Sequence, residues 1–441
     1  MIKDNGVMCT FPFIQFSTTV EGKYQTCCIA KPDDKMTFEN TSPMEFFNSS
    51  KSKQLRHDMA NGIMSDLVKK TCQTCHEQEK QYGSSKRLDS LKHHIHGHVP
   101  IDTIDKVKKS NDVDLKPKDI DHLKMKVFGN ICNLKCTMCS VGCSSALASE
   151  LKRYDEWKGE TVVNPYKKID KDKLYADLEE ICPVVREFEI VGGEPLMMKD
   201  SIEMLEWMVS KGYSKTMEFR IITNATVDNW EYYRLMKYFK KATFIVSLDA
   251  YGKKDEYIRS GEVWEEKVEI IKNFIRADID VSWSNTIQLL NIGYLDEIHI
   301  FYEQLKEIFP HINKVNPAKA FKNRPIKRGG VSIPYLNNLL THPYIMLPKH
   351  LPKQIKEKYI EKYERSNVPF EHKQRWIKAL KSVGYEKDFM RTMAHYKFFD
   401  EKRGTNLLNE WPEFETWYSK ADSYPYWREY EKDWRHKGKA L

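Results

Sequence analysis

Long apolar runs are missing from this 441-residue chain. None approaches the roughly 20 residues that span a bilayer, so no membrane association is expected. The start, MIKDNGVMCTF, also lacks the apolar stretch of a signal peptide, and a cytoplasmic location is expected. An excess of one charge is nearly absent: 71 basic against 63 acidic residues leave a net of +8. That balance tolerates a nucleic acid or an acidic peptide but demands neither, and a nucleic-acid partner is not favoured. Internal repeats and long low-complexity tracts are absent too. Cysteine is missing after residue 182, yet ten cysteines precede it. In a reducing cytosol that concentration argues for metal binding or catalysis over disulfides.

With 41% hydrophobic and 12% aromatic residues, the chain can bury a core and has the length for two or three domains. Residues 1–100 hold Cys9, Cys27, Cys28, Cys72 and Cys75. Residues 101–122, IDTIDKVKKSNDVDLKPKDIDH, are polar and read as a linker. Residues 123–318 alternate strand-like and helix-like stretches. Strands are expected at 124–130, 186–193, 217–224, 242–249 and 278–288, with a sixth at 311–317. Helices are expected at 171–182, 200–211, 229–241, 262–277 and 294–308. Ile202, Leu205, Met208 and Val209 illustrate their three- and four-residue spacing. Repeated strand–helix–strand units imply right-handed crossovers and a parallel sheet. The expected fold class is therefore α/β, a partial six-unit (β/α) barrel open where an eight-unit one would close. Residues 319–441 read as a helical extension rich in aromatic and basic residues. Cys182 reads as an ordinary buried thiol.

GNICNLKCTMCSVGC (129–143) follows the first expected strand and places Cys132, Cys136 and Cys139 at C-x3-C-x2-C spacing. Three thiolates suit a four-iron cluster with one iron left open for a small molecule. Cys143, four residues on, could instead close a four-cysteine zinc site. Its other reading is a small packing residue at a helix start. Beyond the loop, VGGEP (191–195), TNA (223–225) and SLDA (247–250) end the next three strands. Strand C-termini form the active face of parallel α/β folds, so these glycine-rich and polar elements share one rim with the cysteine loop.

With C-x3-C-x2-C after one strand and GGEP after the next, the segment resembles the core of radical S-adenosylmethionine (radical SAM) enzymes over about 200 residues. The resemblance implies that Cys132, Cys136 and Cys139 hold a [4Fe–4S] cluster whose open iron chelates SAM. It implies that Gly192, Gly193 and Glu194 contact the methionyl amino group. Ser247 and Asp249 would lie near the ribose, and Arg259, in YIRSG, would meet the carboxylate. Arg259 also reads as a surface helix-cap charge. Met138 stands where the family usually has an aromatic residue, with its backbone near adenine. Asn224 and Gln288 share the rim by strand position. An external one-electron reductant of flavodoxin or ferredoxin type is implied as a partner.

CTFPFIQFSTTVEGKYQTCC (9–28), then FFNSSKSKQLRHDMANG (46–62) and CQTC (72–75), is similar to SPASM or twitch domains that hold auxiliary clusters. The resemblance implies an amino-terminal α+β module over 1–100 with Cys9, Cys27, Cys72 and Cys75 as ligands of an auxiliary [4Fe–4S] cluster. The hairpin spacing after Gly22 selects Cys27 over Cys28. The family usually carries this module after the core, which leaves its orientation here open. A zinc ribbon with the same four thiols is the alternative. His76 could replace a cysteine but reads as exposed. HHIHGH (93–98) reads as a polar loop, with fortuitous metal binding as its other reading.

The carboxy-terminal region reads as a charged helix at 347–364 and a helical hairpin at 398–418. Its Arg-Gly and Pro-Glu pairs resemble endings of phage-encoded twitch-type radical SAM proteins. The tail YPYWREYEKDWRHKGKAL (424–441) interleaves aromatic and basic residues and reads as an amphipathic segment, with base stacking as the alternative. The expectation overall is a radical SAM enzyme acting on a peptide or protein. A nucleotide, sugar or nucleic acid is the alternative substrate, and a zinc-stabilised binding module is the non-catalytic alternative. No residue is singled out as catalytic beyond the cofactor ligands.

Overall fold

The computed structural model describes residues 2–83, 85–92, 101–154, 165–309, 331–339, 347–368 and 370–421. The histidine run 93–98, the expected strand 311–317 and the tail 424–441 lie outside the described residues.

Among the described residues, one sheet of eight strands organises the fold. They are β1 (Gln15–Thr18), β2 (Tyr24–Gln25), β3 (His122–Met125), β4 (Glu187–Ile190), β5 (Glu218–Thr223), β6 (Lys241–Ser247), β7 (Asp280–Ile287) and β8 (Val331–Leu339). Their order is β2-β1-β3-β4-β5-β6-β7-β8. All neighbours are parallel except the β1–β2 hairpin. From β3 to β8 this is the expected partial barrel.

The sheet's two faces follow from period-two alternation. Leu123, Phe188, Phe219, Phe244 and Trp283 pack outward into the main core beneath the helices. Their alternates, among them Lys124, Glu189, Arg220, Thr243 and Ser282, line the inner face in register. The outer layer includes helices Lys171–Glu179, Lys199–Ser210, Trp230–Met236, Trp264–Arg276 and Glu297–Ile308. Asp170 and Asn229 cap two of them through side-chain oxygens.

Three expectations change. The sixth parallel strand is Val331–Leu339, inside the segment read as a helical extension. The polar stretch 101–122, read as a linker, carries helix Ile101–Lys109. Its Ile104 and Val107, three apart, bury against an amino-terminal core with Met8, Phe13, Leu55 and Met59. Third, the amino-terminal module is not separate from the barrel. β1 pairs with β3, Gln15 beside His122 and Ser17 beside Lys124. Pairing partners over 100 residues apart leave no local signal.

The carboxy-terminal helices Lys353–Arg365, Phe370–Lys381 and Glu386–Arg403 pack back on the barrel. The Trp411 indole donates to the Leu290 carbonyl at 2.8 Å, and the Tyr363 hydroxyl donates to Ile292. The hairpin expected at 398–418 is instead the end of the long helix, stopped by Gly404 at φ +67°, followed by short turns and helix Glu415–Tyr418.

Candidate active site

The cysteine loop leaves β3 and is pinned at each limb. Cys132 N donates to Ser145 Oγ (3.1 Å) at the start of helix Ser145–Leu151, and Ala146 N donates to the Cys132 carbonyl (3.3 Å). On the other limb, Lys135 N and Thr137 N donate to the Ser260 and Ile258 carbonyls at 2.8 and 2.9 Å. Cys136 is buried, Cys132 and Cys139 are half-buried, and Cys143 is exposed. Burial pushes the Cys136 thiol up to about 12, partly offset by the Arg259 guanidinium. Burial also raises Cys139, helped by its neighbours Cys143, Cys136 and Cys132. These thiols are protonated until a metal displaces the protons, so metal loading is coupled to proton release.

Cys132 Sγ accepts from Leu134 N (3.5 Å) and from Asn224 Nδ2 (3.8 Å). Amide donors aimed at a sulfur are what a cluster thiolate uses. Zinc at about 2.3 Å from each thiolate would hold the sulfurs about 3.8 Å apart. Among the described residues, the only trio of ligand atoms within 4.8 Å of one another is His122, Glu187 and Glu189. The cysteine sulfurs are therefore spread wider than a zinc tetrahedron, as a larger cubane requires.

The Gly-Gly-Glu turn after β4 is locked against this loop. Glu194 N donates to the Ile131 carbonyl at 2.6 Å. A Cβ on Gly193, at φ +51°, would lie 2.2 Å from that same carbonyl. Gly192, at φ +105°, backs onto the Gly129 carbonyl. Glu194 itself is fully buried, and its carboxylate accepts from Thr223 Oγ1 (2.7 Å), Asn224 N (2.6 Å) and Leu196 N (3.1 Å). Burial still pushes it up to about 7. It thus ties the β4 and β5 loops together beneath the cysteines.

Asp249 and Arg259 pair with each other at 2.7 Å, and Asp249 also accepts from Thr286 N at 2.6 Å. Arg259 is buried beside Cys136, so the surface-cap reading is overturned. Behind it lies Lys267, wholly buried, bridging Asp255 (2.6 Å), Glu262 (2.8 Å) and the Ser247 carbonyl (2.9 Å). Sequence reading missed this network: a lysine at helical spacing gives no hint of burial. Met138 is half-buried against the core, and Ser247 is half-buried on the inner face opposite Ser284.

A second thiol group lies at the other end of the sheet. Cys9 precedes the short helix that enters β1, and Cys27 follows β2 as it leaves antiparallel. Both sit at the end where β3 begins. Cys9, Cys27, Cys72 and Cys75 line one small cavity with Arg87 and Thr71. Burial raises all four thiols, Cys75 to about 12. Ser90 Oγ lies 3.5 Å from Cys9 Sγ. Arg87 is buried and holds Asp4 and Glu79 at 2.6 Å each, tying three segments around the thiols. Cys28 is not in the cavity lining. Burial would raise it, but the field of Lys124, Lys86 and Lys126 holds it below the ordinary thiol range, which places it toward the barrel interior. His76 is half-buried, not exposed, and is not among the cavity's lining residues.

Between the two thiol groups, the inner face carries an ionic layer. Lys124 pairs with Glu189, Arg220 with Glu187 at 2.9 Å, and His122 Nε2 lies 3.3 and 3.6 Å from the two carboxylates. Each carboxylate already faces a cation, so the layer is balanced without a metal ion.

Residues 126–301 match the family model described as the radical SAM superfamily. No curated protein matches the chain. Among solved structures, SuiB of Streptococcus suis bound to S-adenosylmethionine is 17% identical, with TM-score 0.33, over 58% of this chain and 54% of its own. Native anSMEcpe with bound AdoMet is 14% identical, with TM-score 0.35, over 65% and 63%. The chain thus spans about half the length of SuiB. Residues 126–301 are a radical SAM domain, an enzyme domain whose cofactors are a [4Fe–4S] cluster and S-adenosylmethionine. Among the described residues no helix is long and apolar enough to cross a membrane.

Proposed function

We propose that the protein is a radical SAM enzyme that cleaves S-adenosylmethionine reductively and abstracts hydrogen from a peptide or protein substrate. One juxtaposition carries the reading: the Gly192–Gly193–Glu194 turn hydrogen-bonded to the loop of Cys132, Cys136 and Cys139. A reduced [4Fe–4S] cluster held there supplies one electron to the sulfonium, giving methionine and a 5′-deoxyadenosyl radical that takes hydrogen from an unreactive C–H bond.

The chain's own residues bind, orient and exclude water. Cys132, Cys136 and Cys139 hold the cluster. Asn224 and Leu134 N direct hydrogen bonds at one thiolate. Backbone groups of Gly192 and Gly193 are uncovered for the methionyl end, since neither carries a side chain. Glu194 acts by holding Asn224 and the turn in place. Ser247 and Met138 flank the nucleoside. Arg259 keeps a positive charge beside Cys136, and with Asp249 it forms the polar wall for the carboxylate and ribose.

Cys9, Cys27, Cys72 and Cys75 hold an auxiliary [4Fe–4S] cluster that passes electrons, in a SPASM or twitch-like module over residues 1–100 ahead of the core. A flavodoxin- or ferredoxin-type protein is the electron donor, and the cytoplasm is the setting. The peptide reading rests on the likeness of this module to those domains, as does the phage-type twitch affiliation. A nucleotide or sugar substrate is the second reading. It is favoured by an inner face that presents Thr243, Ser247, Ser282 and Ser284 while the large aromatics point outward.

Anaerobically purified protein is expected to be brown, with about eight iron and eight sulfide per chain. Dithionite-reduced protein should form 5′-deoxyadenosine from SAM, measured by liquid chromatography, and Cys136→Ala should reduce that to background. Colourless protein carrying stoichiometric zinc, or a fully active Cys136→Ala, would sink the proposal.

A further inference from the structure

We infer that Arg403, on the last turn of the carboxy-terminal helix Glu386–Arg403, is a positioning residue for the three-cysteine loop. The inference rests on the cluster reading above and goes beyond it to a residue more than 250 positions away.

The loop has two limbs that must stay in fixed relation if three thiolates are to meet one cluster. One limb passes through Lys135, the residue before Cys136. The other is helix Ser145–Leu151, whose first turn holds Cys132 through Ser145 and Ala146. Glu150 sits near the end of that helix and is 2% exposed. Arg403 bridges both limbs with one guanidinium. Its Nη2 donates to Glu150 Oε2 at 2.6 Å and to the Lys135 carbonyl at 3.1 Å, while its Nε donates to Glu150 Oε1 at 3.1 Å. Lys135 Nζ adds a third tie to Glu150 Oε1 at 3.0 Å.

Three features set this apart from a surface ion pair. Both partners are nearly enclosed, with side chains 6% and 2% exposed. The fork is bidentate on a carboxylate, a geometry that lysine cannot reproduce. The guanidinium is also stacked 4.1 Å over the Phe399 ring, which packs with Leu147 and Leu151 on the same helix. One turn earlier Asp400 accepts from the Tyr257 hydroxyl at 3.0 Å, fastening the helix to the segment that leads into Arg259. The carboxy-terminal helix thus grips the cysteine loop from outside. Groups that orient metal ligands without touching the metal typically alter its retention about 10–100-fold when removed.

The test uses the full chain, reconstituted anaerobically, as wild type, Arg403→Met, Arg403→Lys and Glu150→Gln, with Cys136→Ala as reference. Iron release to a chelator is followed together with the electron paramagnetic resonance of the reduced protein before and after adding SAM. In Arg403→Met, one half of the iron should leave at least about tenfold faster than in wild type. The spectrum that remains should match Cys136→Ala and no longer respond to SAM. Glu150→Gln should show the same selective loss more weakly, and Arg403→Lys should restore it only in part. A proportional loss from both sites would mean general destabilisation and overturn the inference. So would wild-type release and SAM response in both Arg403→Met and Glu150→Gln. Wild-type protein without iron would instead defeat the cluster reading itself.

Discussion

Gly193 shows how little space the site leaves at single residues. At φ +51°, with a carbonyl 2.2 Å from where a Cβ would stand, it has no tolerance for a side chain. Gly193→Ala should cost about 1–3 kcal/mol through backbone strain and overpacking. It should also displace the Ile131 strand of the cysteine loop, read as a lower midpoint in denaturant and reduced 5′-deoxyadenosine formation. Wild-type values for both would contradict the locked turn. Adjacent thiols make a second residue-level contrast. Cys27 lines the cavity shared with Cys9, Cys72 and Cys75, whereas Cys28 faces the lysines of the barrel. Cys27→Ser should lose about half the bound iron and Cys28→Ser none of it, by iron analysis of the purified proteins. Spacing after the hairpin glycine already pointed to Cys27, because over so few residues the chain's direction leaves only one of the two side chains facing inward. Arg259 was less legible: its neighbours in sequence look like a surface turn, and only packing buries it against Asp249 and Cys136.

At the scale of elements, helix Trp264–Arg276 departs most from its sequence pattern. Its buried stripe of Trp264, Ile271, Phe274 and Ile275 follows helical spacing, yet it includes Lys267. That lysine is 0% exposed and compensates two buried carboxylates, Asp255 and Glu262. Lys267→Met removes one partner and leaves the others uncompensated, which typically costs about 3–5 kcal/mol. Urea unfolding should show this as a lower midpoint, and an unchanged midpoint would mean that the network is relaxed in solution. The strands of the core were legible to within a few residues, since β-branched and aromatic runs ending in Gly, Asn or Asp carry their signal locally. Helix Ile101–Lys109 was not, because two apolar positions in a charged segment do not stand out until a neighbouring core receives them.

Over the whole molecule, two thiol sites occupy opposite ends of one sheet, with the ionic layer of Lys124, Glu187, Glu189 and Arg220 between them. The auxiliary thiols do not contribute to the loop near Arg259, so the two functions should separate. Cys72→Ala is expected to keep 5′-deoxyadenosine formation and to lose substrate modification, compared by chromatography of the nucleoside and mass spectrometry of candidate peptides. Full modification by that variant would remove the electron-transfer role from the first module. By itself the sequence determined the chemistry: C-x3-C-x2-C and Gly-Gly-Glu at successive strand ends are local patterns, and ligand spacing is set by a few peptide units. Only the tertiary structure decided that β1 completes the sheet beside β3, that a sixth strand comes from Val331–Leu339, and that Arg403 grips the cysteine loop. Strand pairing and buried ion pairs join residues up to 268 positions apart, and their energy comes from desolvation and register, which the neighbours in sequence do not encode.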